Sequence, residues 1–153
     1  MSLIFKHPKS GGELHQAGQR EIPYIIARNN IDLIILAAQE FQPQILRKSN
    51  EQFLRAERLY VPMDDSTKLK GKQLRDTIKL AKFAANKTIK NILKGKNVLS
   101  TCQAGWNRSG LISGLALKKL TQKDTREIVK GIRKNRSIFA MSNPLFVKII
   151  ERN

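Results

Sequence analysis

The chain carries one cysteine, Cys102, and an arginine six positions later, Arg108, in the run Asn97-Val-Leu-Ser-Thr-Cys-Gln-Ala-Gly-Trp-Asn-Arg-Ser-Gly110. A β-branched segment ends at the cysteine, a polar glycine-bearing loop follows, and a helix begins at the arginine. In such a turn the backbone N–H groups of Gln103, Ala104, Gly105, Trp106, Asn107 and Arg108 can converge on one point, a nest at a helix N-terminus that binds anions. Gly105 is read as giving the backbone room where a side chain would crowd that anion. The same dipoles and the guanidinium favour thiolate over thiol. A thiolate at the floor of an anion site can attack a bound phosphate in line, while Arg108 grips two of its oxygens. Ser109 could donate a hydrogen bond to the sulfur and improve it as a leaving group. The plain alternative for a lone cysteine is a small buried hydrophobe. The strand before it, the glycine within the loop and the helix after it favour the reactive reading.

Covalent phosphoryl transfer also needs a proton donor for the leaving oxygen. The segment Val61-Pro-Met-Asp-Asp-Ser66 offers Asp64 and Asp65 on a loop. Parallel strands would carry that loop to the same sheet edge as Cys102. The competing reading is that the pair caps the next helix or solvates a turn.

These groups need a scaffold of strands and helices. Leu3-Ile4-Phe5 reads as a short edge strand and His7 to Gly12 as turn. Gln16 to Asn29 reads as a helix, and Ile31 to Ala38 as a strand buried on both faces. A short helix is expected over Phe41–Arg47, then a strand toward Met63, with Leu59 and Val61 inward and Pro62 ending the ladder. Lys70 to Leu93 is strongly helical, with Leu74, Ile78, Ala81, Ala85, Ile89 and Ile92 on one face and lysines on the other. A buried strand over Asn97–Thr101 leads to Cys102. Further helices are expected over Ser109–Leu120, Asp124–Lys134 and Asn143–Arg152. Strands separated by helices predict an α/β fold: a central, mostly parallel sheet of about four or five strands flanked by helices. The 153 residues fit one domain, with no repeat or linker.

One cysteine excludes an intrachain disulfide and fits a reducing, intracellular location, cytoplasmic by default with nucleus or virion open. No run is long enough to span a membrane. The formal charge is +17, from 29 Lys and Arg against 12 Asp and Glu. That excess draws a protein toward polyanions, although a solvated basic surface accounts for it equally well.

On these residues the chain resembles the dual-specificity branch of the cysteine-based protein tyrosine phosphatases, over about Ile22 to Ile150. Cys102-Gln-Ala-Gly-Trp-Asn-Arg-Ser109 matches the family pattern Cys-x5-Arg-Ser/Thr, and Val61-Pro-Met-Asp-Asp-Ser66 resembles its general-acid loop. The segment from Arg133 to Phe146 resembles the part of this branch in which Arg133, Arg136, Asn143 and Phe146 brace the active-site loop. The resemblance implies a phosphatase-type sandwich and a phosphocysteine intermediate. It implies Asp65 in preference to Asp64 as acid, then base, with neither cofactor nor metal. It also implies a shallow site open to several phosphoesters, with a phosphorylated protein as default substrate. Thr101 departs from the pattern, since the family usually has histidine before the nucleophile. Trp106 could wall the site and stack on a substrate ring, or pack against the Asp loop. Some relatives with Asn-Arg before the helix act on RNA 5′ ends. Asn107-Arg108, the net charge and a basic stripe at Lys68, Lys70 and Lys72 leave RNA or another polyanion as an alternative partner. A pseudophosphatase, holding phosphorylated or nucleic-acid ligands without turnover, is the non-enzymatic alternative. Low-molecular-weight phosphatases place the loop near the N-terminus, and a sulfur-transfer domain would not need the Asp loop.

Overall fold

The computed structural model describes residues 2–40 and 55–153. The helix expected over Phe41–Arg47 lies outside them. The order of elements is β1 (Leu3–Lys6), β2 (Glu13–Gly18), a 3-10 turn (Gln19–Glu21), α1 (Ile22–Arg28), β3 (Leu33–Ala38), β4 (Glu57–Met63), α2 (Gly71–Leu93), β5 (Val98–Cys102), α3 (Arg108–Thr121), α4 (Thr125–Asn135) and α5 (Pro144–Arg152). The five strands form one sheet in the order β1-β2-β5-β3-β4. Only the β1–β2 pair is antiparallel.

β3 is a continuous apolar run because both of its faces are covered. Leu33, Ile35 and Ala37 join the larger core cluster, with residues of α2, α3, α4 and α5. Ile34 and Leu36 join the smaller one, with Ile22 and Ile25 of α1. β5 divides in the same way: Val98 and Cys102 belong to the larger cluster and Leu99 to the smaller. The strand alternation therefore turns Cys102 toward α3, the helix that carries Arg108. From Arg108 to Leu117 every residue of α3 is buried, so the helix is the fixed post behind the cysteine loop.

Two local expectations are corrected. Of the helix expected over Gln16–Asn29, Gln16 to Gly18 are the end of strand β2, Gln19–Glu21 form the 3-10 turn, and the α-helix starts only at Ile22. His15 and Gln16 are polar yet buried, so the run lacks the apolar alternation that marks a strand. Its role is set from afar: β2 pairs with β5 from Leu14↔Val98 to Gly18↔Cys102. Pro62 does not end its ladder either, because β4 runs through it to Met63. β4 is an edge strand, and the pairing shifts register between Leu36 and Ala38, where a residue without an N–H is tolerated.

Candidate active site

The loop from Gln103 to Asn107 is held by its carbonyl groups. Gln103 O accepts from Gln19 N at 3.1 Å, and Trp106 O from Met141 N at 3.1 Å. Ala104 O accepts from Arg136 Nη2 at 3.0 Å. Gly105 O accepts from Arg136 Nε at 3.2 Å and from Gln16 Nε2 at 2.9 Å. Four successive carbonyls are thus tied to surrounding elements, which leaves the peptide N–H groups on the other side of the loop. Gly105 N lies 3.3 Å from Cys102 Sγ. Among the described residues, the N–H groups of Gln103, Ala104, Trp106 and Asn107 have no protein acceptor. This is the geometry of an anion-binding nest.

Cys102 is 2% exposed at the floor of this loop. Its sulfur lies 3.3 Å from Ser109 Oγ, and Ser100 Oγ donates to Ser109 O at 3.0 Å from the strand below. Thr101 Oγ1 donates to Ile35 O at 2.7 Å and pins β5 to β3, one step away from the sulfur.

The need for glycine at position 105 has a different origin from the one expected. Gly105 has φ +75°, and a Cβ there would stand 2.3 Å from Ala17 C and Gly18 N. The crowding comes from the backbone of β2, behind the loop. Gly18 answers it from the other side: a Cβ there would stand 2.9 Å from the carbonyl oxygens of Gln103 and Ala104.

Arg108 is buried in the first turn of α3. Its Nη1 donates to Glu40 Oε2 at 2.7 Å and to Met63 O at 3.1 Å. Its Nε is buried and has no acceptor among the described residues. Burial alone would push the guanidinium pKa down. The hydrogen bond to Glu40 and the charges of Cys102, Glu40 and Asp65 outweigh it and hold the pKa above the usual value. The Arg108 hydrogen bond in turn holds the Glu40 carboxyl below the usual carboxylate range, against a smaller opposing effect of burial.

The two aspartates part company. Asp65 Oδ1 accepts from Asn143 Nδ2 at 2.9 Å and Oδ2 from Asn107 Nδ2 at 3.1 Å, so a residue of the loop itself steers the carboxyl. Asn143 Oδ1 meanwhile caps α5, accepting from Leu145 N at 3.0 Å. That cap fixes which way the carboxamide faces and hence which end meets Asp65. Asp64 instead lines a depression with Gln39, Leu69 and Gln73.

The other expected braces divide as well. Arg136 clamps the loop directly and is paired with Glu21, through Nη1 to Oε2 at 2.9 Å and a second contact from Nη2 to Oε1. Burial pushes the Glu21 carboxyl up, but the hydrogen bonds from Arg136 and from Gly18 N, with the Arg136 charge, hold it below the usual range. Arg133 acts one step further out, donating to Ala140 O at 3.0 Å and Met141 O at 3.1 Å in the segment that receives Trp106 O. Phe146 is fully buried in the core. The Trp106 ring lies 5.3 Å from that of Phe139, an aromatic neighbour from the turn after α4 that the sequence reading did not name. Lys68 and Lys70 are exposed on the loop before α2, and Lys72 in its first turn. Sequence reasoning missed Gln16, Glu21 and Glu40. Gln16 alone left a trace, as a polar residue between Leu14 and Ala17.

No family model matches the chain, and no curated protein matches it in sequence. Solved structures do. A Cydia pomonella PTP-2 phosphatase is 18% identical, covers 99% of this chain and 88% of its own, and gives a TM-score of 0.75. Human DUSP28 is 15% identical over 99% of this chain and 92% of its own, at a TM-score of 0.73. DUSP15 is 22% identical over 91% and 81%, at 0.71. These structures define a class of fold, that of the cysteine-based phosphatases of the tyrosine and dual-specificity type. This chain has that fold, with the Cys102–Arg108 loop between β5 and α3.

Proposed function

We propose that this protein is a cysteine-dependent phosphomonoester hydrolase in which residues 1–153 form one catalytic domain. The observation that carries the reading is the loop whose carbonyls are tied outward around the Cys102 sulfur. A phosphate dianion is bound by the free N–H groups of Gln103, Ala104, Trp106 and Asn107, with Gly105 N–H on the attacking sulfur, and by Arg108, whose unpartnered Nε is a donor for one of its oxygens. The Cys102 thiolate attacks phosphorus. The S–P bond forms as the P–O ester bond breaks, and Asp65 gives its proton to the leaving oxygen. Water then attacks the phosphocysteine, Asp65 takes a proton from it, and the S–P bond breaks. Ser109 stabilises the departing thiolate. Asn107 and Asn143 hold the Asp65 carboxyl at the rim for both steps.

The substrate class we favour is a phosphorylated protein, on tyrosine and on serine or threonine. Trp106 and Phe139, with the 78%-exposed Ile138 beside them, offer an apolar ledge next to the phosphate seat. A ledge of this kind suits the ring of a phosphotyrosine and tolerates smaller groups. The test is phosphate release from phosphotyrosine and phosphothreonine peptides, a phosphoinositide and 5′-triphosphorylated RNA, with Cys102→Ser as control. Turnover of both peptides that is lost in the variant supports the reading. Turnover confined to the lipid or the RNA replaces the protein substrate while keeping the chemistry. Equal background in both proteins removes the enzyme.

A further inference from the structure

α2 carries a second feature that the chemistry at Cys102 does not use. Lys72, Arg75, Lys79, Lys82, Lys90 and Lys94 are all exposed, at or just beyond the 23 residues of this helix. At 100° per residue they fall within about a third of its circumference, along roughly 33 Å of its length. Among the described residues none of the six has an ion-pair partner, and the only cation of α2 that does is Lys87, with Glu57. Like charges three and four residues apart destabilise a helix. Asp76 offsets this near the start of the helix, but from Lys79 onward the stripe acts against the stability of the element that bears it.

At the far end of α2 the stripe meets a groove of about 540 Å³ lined by Phe83, Asn86, Lys90, Asn91, Lys94 and Lys96, with the Lys87–Glu57 ion pair, whose charges offset, also on its wall. Phe83 is 57% exposed beside these lysines. The groove lies where α2 leads into β5, at the sheet edge opposite the Cys102 loop. We infer that this face binds single-stranded nucleic acid, independently of the catalytic loop. A basic track combined with an exposed aromatic side chain is the arrangement on which bases stack while phosphates are neutralised. A flat anionic membrane would not enter a groove, and an acidic peptide uses Phe83 only where it carries an apolar or aromatic side chain in register, whereas every base of a nucleic acid supplies a π-face. Asn86 Oδ1 accepts from Lys119 Nζ and Asn91 Nδ2 donates to Lys87 O, so Asn86 Nδ2 and Asn91 Oδ1 are the ends that add polar contacts for base edges.

The experiment is fluorescence anisotropy of a labelled oligouridine with the full chain across a salt series. About five neutralised phosphates give a slope of log K against log salt near −3.5. The triple variant K82Q/K90Q/K94Q makes that slope shallower by about 2, and Phe83→Ala weakens binding about tenfold at fixed salt. All four positions are exposed, and melting temperatures no lower than the wild-type value verify the variants' folding. Turnover of p-nitrophenyl phosphate stays at the wild-type level in both variants. The inference is overturned if the triple variant keeps the wild-type slope, if Phe83→Ala binds as wild type, or if poly-glutamate or anionic vesicles compete as well as unlabelled oligouridine. Binding is read without turnover, so the outcome does not depend on the catalytic reading.

Discussion

Replacing Gly105 by alanine tests how tightly the cysteine loop is held against the sheet. The residue has φ +75°, so an L side chain costs about 1–2 kcal/mol before any contact is considered. The new Cβ would stand 2.3 Å from Ala17 C and Gly18 N, where ordinary contacts begin at 3.4 Å. Both neighbours are backbone atoms in a paired strand, so no rotamer change relieves the clash, and the loop must back away from β2 by about 1 Å. Overpacking of this kind costs about 1–3 kcal/mol. The sum, about 2–5 kcal/mol, lowers the melting temperature by roughly 5–15 °C in a chain of this size. The same movement stretches the Gln16 and Arg136 bonds to Gly105 O and displaces the N–H groups that would hold a phosphate. A misplacement of about 1 Å costs on the order of a hundredfold in rate. The assays are thermal denaturation and kcat/KM on p-nitrophenyl phosphate. A Gly105→Ala protein that melts within about 1 °C of wild type and keeps kcat/KM within about threefold refutes the reasoning.

Three further outcomes are expected. Glu21 has a depressed carboxyl pKa, so its pairing with Arg136 stabilises the fold fully above its ordinary value of 4.5, and this is lost as the pH falls through the lower folded value. Melting curves of wild type and Glu21→Gln should therefore differ near neutrality and converge in acid; a constant gap contradicts the pairing. Glu40→Gln should lower kcat/KM about tenfold, because Arg108 loses the partner that orients its fork, and should weaken inhibition by free phosphate in parallel; unchanged inhibition refutes it. Asn143→Ala releases the Asp65 carboxyl and should slow alkyl phosphates about tenfold more than p-nitrophenyl phosphate, whose leaving group needs little protonation. Equal losses on both would show that Asn143 acts only as the cap of α5.

The parts of the site legible in the sequence are those whose chemistry is local. The proposed nucleophile, the loop of inward N–H groups and the helix start are contiguous, so Cys102 to Ser109 stand together in the chain. The long amphipathic α2 and the doubly buried β3 were legible because their periodicity reports their surroundings directly. Arg136 was named as a brace through the family resemblance, but the partners of the clamps were not legible, because each contact works across a large sequence separation. Arg108 meets Glu40 across 68 positions, Gly105 meets Gln16 across 89, and Arg136 meets Glu21 across 115. A glutamate or glutamine carries no local mark of such a partner. β2 was misread for the same reason: its buried polar residues serve the loop, and its strand character comes from pairing with β5. Gly105 was legible as a necessary glycine, but its cause lay in β2, which the sequence alone could not bring beside it.

The most direct test concerns the sulfur of Cys102. Wild-type protein is mixed with a phosphomonoester, quenched in acid within the first turnovers, digested and weighed by mass spectrometry. A phosphoryl adduct on the Cys102 peptide, absent in Cys102→Ser, is the predicted result, and Asp65→Asn should retain the adduct longer. Steady phosphate release with no adduct at Cys102, or release at the wild-type rate from Cys102→Ser, would contradict it.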